Sequence, residues 1–102
     1  MTYLASFFAG AFLCNCLPHL VAGLQGMPFP TPFATPRGVG NSSPFLNFLW
    51  GCFNLAVGLA LGKTAGIEFE ADFKWVAAAA GVLALGSYLS LHFGKVRSVK
   101  DR

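Results

Sequence analysis

The stretch MTYLASFFAGAFLCNCLPHLVAGLQGMPFPTPFATP, residues 1–36, contains no Lys, Arg, Asp or Glu. Two further charge-free stretches follow, residues 38–62 and residues 75–94. Each is long enough, or nearly so, to supply the roughly 20 apolar residues that a helix needs to cross a bilayer core. The chain is 55% hydrophobic and 11% charged, whereas about a quarter of the residues in a typical soluble domain are charged. The sequence therefore predicts an all-α membrane protein with three transmembrane helices.

The three predicted helices run from about residue 3 to 24, 44 to 62 and 74 to 93, within a single domain of residues 1–102. Pro18 lies inside the first helix and predicts a kink, because proline removes a backbone hydrogen bond. The start of the second helix is marked by residues 41–44, Asn-Ser-Ser-Pro. A serine there can cap the helix, and proline is compatible with its first turn.

The distribution of Lys and Arg predicts the orientation of the helices. The predicted C-terminal tail, residues 95–102, is rich in basic residues, and the first loop adds Arg37. The second loop, residues 63–74, has two basic residues beside three acidic ones. Because Lys and Arg are enriched on the cytoplasmic side of membranes, we expect an integral protein of the cell inner membrane. Its N-terminus would lie outside and its C-terminus inside.

The loop between the first two helices, residues 25–43, is rich in proline. Proline fixes φ and biases the preceding residue toward extended backbone, which excludes a helix and favours a polyproline-like path. Met27, Phe29 and Phe33 would be unfavourable in water, so we expect the loop to lie along the membrane interface or to fold back onto the helices. It would serve either as a plug, gate or docking strap, or as an interfacial connector.

The end of this loop is a candidate site for an anion or a lipid head group. Glycine-rich backbone lets N–H groups converge, and the N-terminus of the next helix has a positive partial charge. The alternative is a plain turn followed by a helix cap. The candidate binding residues are Arg37, Gly38, Gly40, Ser42 and Ser43.

Polar residues inside the predicted spans share helix faces. Asn15 and His19 are four residues apart in the first helix, and Asn47 and Asn54 are seven apart in the second. We expect the two faces to meet, either as a polar pocket or as packing contacts that stabilise the bundle by on the order of 0.6–2 kcal/mol per hydrogen bond. With the predicted orientation, most of these groups lie in the inner leaflet.

Small residues on the second and third predicted helices indicate close helix packing, since glycine lets two backbones approach each other. The candidate packing residues are Gly51, Gly58, Gly62 and Gly81.

Neither a metal nor a cofactor is predicted. A haem or metal remains an alternative that would use His19 with His92, or Cys16 with His19. The spans contain no Asp or Glu and no hydrolase motif, so we expect no enzyme. The net charge of +3 is concentrated beside the last hydrophobic segment, which predicts contact with membrane lipids and not with nucleic acid.

The favoured function is that of a subunit in a homo-oligomer or larger membrane protein complex, acting through helix packing and the Pro/Phe loop. The first alternative is a small oligomeric transporter or channel with an inner-leaflet polar pocket, and the second is the metal- or haem-binding protein. The layout of about a hundred residues, three spans and a basic C-terminal tail resembles that of three-span phage holins. This resemblance covers topology and involves no motif.

The orientation is testable with single reporter fusions. A C-terminal alkaline phosphatase fusion is expected to be inactive and a C-terminal green fluorescent protein fusion to be bright, because the basic segment holds that end inside. Replacing Lys95 and Arg97 with Gln should weaken this asymmetry. An active phosphatase at the C-terminus of the unmodified chain would contradict the orientation.

Overall fold

The computed structural model describes residues 2–66 and 73–100. Three long helices account for most of this part of the chain: α1 (Thr2–Leu24), α2 (Pro44–Ala65) and α3 (Phe73–Lys100). Each is long and apolar enough to span a membrane. The prediction of three such helices is therefore confirmed. The acidic residues of the second loop lie outside the described residues.

Local sequence explains where the helices begin and end. The Ser43 hydroxyl accepts a hydrogen bond of 3.1 Å from the Leu46 N–H, which caps α2, and Pro44 occupies the first turn. Gly66 ends α2 in the left-handed conformation, φ 73°, that glycine adopts without a steric penalty. Helix α3 continues to Lys100, so most of the segment predicted as a basic tail is helical.

Helix α1 is the centre of the bundle. Helices α2 and α3 each pack along α1, but they scarcely touch each other. The described chain measures 45 × 24 × 20 Å. This arrangement leaves a cleft between α2 and α3, with α1 as its floor.

The interior of the bundle is small and polar, and its exterior is apolar. Asn47 and Asn54 are the largest fully buried side chains, whereas Leu83 is 70% exposed and Leu91 is 73% exposed. A soluble protein buries its large apolar side chains. The opposite distribution is typical of helices that face lipid and associate through small and polar contacts.

Glycines and alanines set the spacing between the helices. A Cβ atom added at Gly81 would overlap the carbonyl oxygen of Phe7, and one at Gly51 would lie 2.7 Å from Leu20 Cγ. Gly58 approaches Leu13 in the same way. A Cβ added at Gly62 would meet nothing within 4 Å, so this glycine contributes no close approach within the described chain.

Residues 25–43 form a compact loop of turns at one end of the bundle. It contains a two-residue antiparallel pair, β1 (Phe29–Pro30) with β2 (Asn41–Ser42), in which Phe29 is opposite Ser42. The pair joins the two ends of the loop, so that the residues between them fold back over the helices.

Gly81→Ala tests the glycine contact between α1 and α3. The new methyl group must displace the α1 backbone, and we expect the free energy of unfolding in mixed micelles to fall by about 1–3 kcal/mol. Gly62→Ala is the matched control, since open space surrounds it and alanine favours a helix. Equal stability of the two variants would contradict the packing described here.

Candidate functional site

Asn47 connects both ends of the proline-rich loop to helix α2. Its side chain is completely buried. Its Nδ2 donates to the carbonyl oxygens of Phe29, at 2.9 Å, and Ser43, at 3.1 Å. Because one amide contacts residues before and after the loop, it holds the two ends together.

The contacts of Asn47 also determine the proton position on His19. Since Asn47 Nδ2 faces carbonyl oxygens, Asn47 Oδ1 must face His19 Nδ1, which lies 2.7 Å away. A carboxamide oxygen can only accept, so His19 Nδ1 has the hydrogen. In the neutral imidazole ring, Nε2 is then a hydrogen-bond acceptor.

A second pair joins α1 to α2, one helical turn from the first along α1 and two turns along α2. Asn54 Nδ2 donates to the Trp50 carbonyl at 2.8 Å, and Asn54 Oδ1 accepts from Asn15 Nδ2, also at 2.8 Å. The four polar residues predicted for a pocket or for packing are thus brought together as two pairs. In each pair the α1 residue donates to an asparagine of α2, and Asn15 Oδ1 keeps its acceptor capacity.

The loop is also attached to α3 and to itself. His92 Nε2 donates to the Gly38 carbonyl at 2.7 Å, and Lys100 Nζ donates to Asn41 Oδ1 at 2.9 Å. The hydroxyl groups of Thr31 and Ser42 are buried and hydrogen-bonded to each other. These bonds place the C-terminal end of α3 at the same end of the bundle as the loop.

Aromatic rings continue this attachment between α1 and α3. The ring of Phe29 lies edge-on to His19, with centroids 5.5 Å apart, and to Phe93, with centroids 4.6 Å apart. A loop side chain therefore fills the space between α1 and α3 that the helices leave at this end.

A cavity of about 520 Å³ occupies the cleft between α2 and α3 beneath the loop. This volume is within the range of roughly 300–1,000 Å³ that is usual for small-molecule sites. Tyr88, 59% exposed, and Phe8, 44% exposed, both line the cavity, so it opens at the side of the bundle. The apolar lining residues are Phe8, Ala11, Phe12, Leu85, Leu89 and Phe93, and the polar ones from the helices are Asn15, His19, Trp50, Asn54, Tyr88 and His92. The loop contributes Pro30, Thr31, Pro32, Arg37 and Gly38.

The cavity changes from apolar to polar along its length. On α1 the lining residues run from Phe8 to His19, with His19 nearest the loop, a distance of about 16 Å at the rise of an α-helix. On α3 they run from Leu85 to His92 in the same direction. The end away from the loop is therefore lined by hydrocarbon and aromatic rings, and the loop end by hydrogen-bonding groups.

Two acceptor atoms of α1 at the polar end, Asn15 Oδ1 and His19 Nε2, make no hydrogen bond with the described residues. Among the described residues, Trp50 Nε1 is the sole side-chain nitrogen or oxygen that is fully buried and has no hydrogen-bond partner. Within the same described ranges, Asn15 Oδ1 and His19 Nε2 make no hydrogen bond either, so neither atom is fully buried, although His19 as a whole is only 2% exposed. Because both side chains line the cavity, we infer that these two atoms face it.

The residues predicted for an anion site are mostly engaged within the loop. The N–H groups of Gly38, Val39 and Gly40 donate to carbonyl oxygens of Thr31 and Pro36. Ser42 is bonded to Thr31 and Ser43 caps α2. Arg37 alone lines the cavity with a charged side chain, and it makes no hydrogen bond or ion pair with the described residues.

The residues of the metal or haem alternative lie in different surroundings. Cys16 is buried and its thiol donates to the Leu13 carbonyl, while His19 and His92 both line the cavity. The described residues include no group of three or more His, Cys, Asp or Glu side chains placed to hold a metal ion.

Several cavity residues were not among the sequence-predicted site residues. Tyr88 was not predicted as a site residue, and His92 was named for the haem or metal alternative alone; the two residues are four apart on α3, which is a detectable helical spacing. Thr31 lies in the proline-rich loop, where the sequence has no periodic signal. Comparison with protein-family models, with curated proteins and with solved structures found no match.

Asn47→Ala tests the attachment of the loop. Loss of the amide removes the bonds to the Phe29 and Ser43 carbonyls and leaves His19 Nδ1 unpaired, and we expect the free energy of unfolding to fall by about 2–4 kcal/mol. Trypsin cleavage after Arg37 should become faster, because the loop opens more often. Gln25→Ala, which removes an amide at an exposed residue of the same loop, is the matched control. Unchanged cleavage and stability in Asn47→Ala would rule out this attachment.

Proposed function

We propose that this chain is an integral membrane protein that binds an amphipathic small molecule in the cleft between α2 and α3. The observation that supports this most directly is the change of the cavity lining from apolar to polar toward the loop. An amphiphile would place its hydrocarbon part between Phe8 and Leu85 and its head group near His19 and His92. Sites of this type combine apolar walls with a few convergent polar groups.

The bilayer is the natural source of such a ligand. The cleft opens at the side of the bundle, and exposed apolar residues surround the opening. A ligand that is dissolved in the membrane can move between α2 and α3 without passing through water, where its hydrocarbon chain would be unfavourable. Membrane lipids are therefore the first partners of the protein under this proposal.

The loop end of the bundle is proposed to face the cytoplasm. Arg37 belongs to the loop, and Lys95, Arg97 and Lys100 belong to the end of α3 that contacts it. This concentration of basic residues supports the orientation with both loop and C-terminus inside, in contact with anionic lipid head groups. The Pro-rich loop would then lie at the inner interface.

The role proposed here is binding, without a chemical reaction. It is compatible with a small transporter that has an inner-leaflet pocket, because binding of a ligand in the cleft at the inner interface would be one step of a transport cycle. Assembly into a homo-oligomer or larger complex is a second proposal. It is favoured by α3, most of whose apolar segment is not buried in the described chain, so that this helix can contact lipid or a partner along most of its length.

A bulky residue in the cleft should abolish ligand binding. Leu85→Trp fills the space between α2 and α3, and we expect binding of a dibrominated fatty amphiphile to weaken by at least about tenfold, as steric overpacking implies. The native amphiphile should also disappear from organic extracts of the purified protein, as measured by mass spectrometry.

Leu83→Trp is the control for this experiment. It adds the same side chain on the same helix, at a residue that is 70% exposed. Binding should remain as in the unmodified protein. If Leu85→Trp and Leu83→Trp bind equally well, the cleft is not the binding site.

A further inference from the structure

We propose that the cleft selects amphiphiles whose head group donates hydrogen bonds, namely neutral lipids or long-chain alcohols with a free hydroxyl group. This inference rests on the proposed amphiphile binding and adds the chemistry of the head group. It is carried by Asn15 Oδ1 and His19 Nε2, two acceptors on α1 that make no hydrogen bond with the described residues and whose side chains line the cavity.

The acceptor character of both atoms follows from backbone carbonyls that cannot change their role. The Trp50 carbonyl orients the Asn54 amide, which in turn requires Asn15 to donate Nδ2 and to leave Oδ1 outward. The carbonyls bound by Asn47 orient its amide, which requires His19 to donate through Nδ1. Turning the Asn54 or the Asn47 amide around would place its oxygen against a backbone carbonyl oxygen. The two oxygens would then be buried with no donor between them, which is unfavourable.

The two acceptors are also placed for one head group. Asn15 and His19 are four residues apart on α1, so they lie on one face and about 6 Å apart along the axis. A hydroxyl group between them can donate to either atom, and a diol can donate to both. A head group that only accepts hydrogen bonds, such as an ether or ester, would leave both atoms unpaired on binding.

An anionic head group is less well matched to this position. A carboxylate or phosphate oxygen without a proton would face two acceptor lone pairs in a region of low dielectric constant, which is unfavourable. Arg37 is the positive group of the cavity, but it belongs to the exposed loop and not to the α1 face. An anion would therefore contact the rim of the cavity, and a hydroxyl group its interior.

The test compares three ligands with the same brominated hydrocarbon chain: a long-chain alcohol, its methyl ether and the corresponding carboxylate. Each is added at equal mole fraction to nanodiscs that contain the full chain with Trp75→Phe, so that Trp50 in the cavity wall is the remaining tryptophan. Quenching of Trp50 fluorescence reports binding. The alcohol should bind about 5- to 10-fold more tightly than the ether, as expected for one net hydrogen bond, and more tightly than the carboxylate.

The protein side is tested with the double variant Asn15→Leu/Asn54→Leu. Replacing both partners of a buried bond by apolar groups of similar size is nearly neutral for stability, and it removes one cavity acceptor. The advantage of the alcohol over the ether should fall by at least about twofold, with ether binding unchanged. If the double variant does not fold, the comparison of the three ligands in the protein with Asn15 and Asn54 intact still tests the head-group preference.

The outcomes separate the two proposals. Equal binding of alcohol and ether, or tightest binding of the carboxylate, would overturn the head-group inference while leaving amphiphile binding intact. Quenching by none of the three ligands would overturn both. Preference for the alcohol that is unchanged by Asn15→Leu/Asn54→Leu would remove Asn15 from the head-group site.

Discussion

The hydrogen bonds of the Asn47 amide are the interaction on which the rest of the structure depends. One buried side chain binds the carbonyls of Phe29 and Ser43 and accepts from His19. It therefore joins α1, both ends of the proline-rich loop and the start of α2. In a small bundle with few buried apolar side chains, such a contact replaces the large core that a soluble domain of this size would use.

Backbone carbonyls determine which side-chain atoms of the polar network donate hydrogen bonds and which accept them. An amide can be turned around in an isolated asparagine pair, but a carbonyl oxygen always accepts. The contacts of Asn54 with Trp50 and of Asn47 with Phe29 determine which atom of each α1 partner donates. The remaining atoms of the two α1 partners, Asn15 Oδ1 and His19 Nε2, belong to side chains that line the cavity. Under the proposed function, the same bonds that stabilise the bundle would also define the hydrogen-bonding groups that a ligand meets.

Much of the architecture can be predicted from the sequence because it depends on local properties. Three stretches lack charged residues, and Ser43-Pro44 marks a helix start. Both features can be recognised from the local sequence alone. The four-residue spacing of Asn15 and His19 also predicts that they share a face. The extent of α3 to Lys100 was not predicted, since its basic residues are equally compatible with a tail or with the last turns of a helix.

The sequence by itself determined three apolar helices and the polar faces of α1 and α2, because hydropathy and helical period are one-dimensional properties. Tertiary structure decided that α1 is central, that the loop folds over one end, and that the cleft lies between α2 and α3. It also decided which polar atoms remain unpaired. These features depend on contacts between residues far apart in the chain, such as His92 with Gly38, and no local pattern encodes which partner a buried amide or imidazole will find.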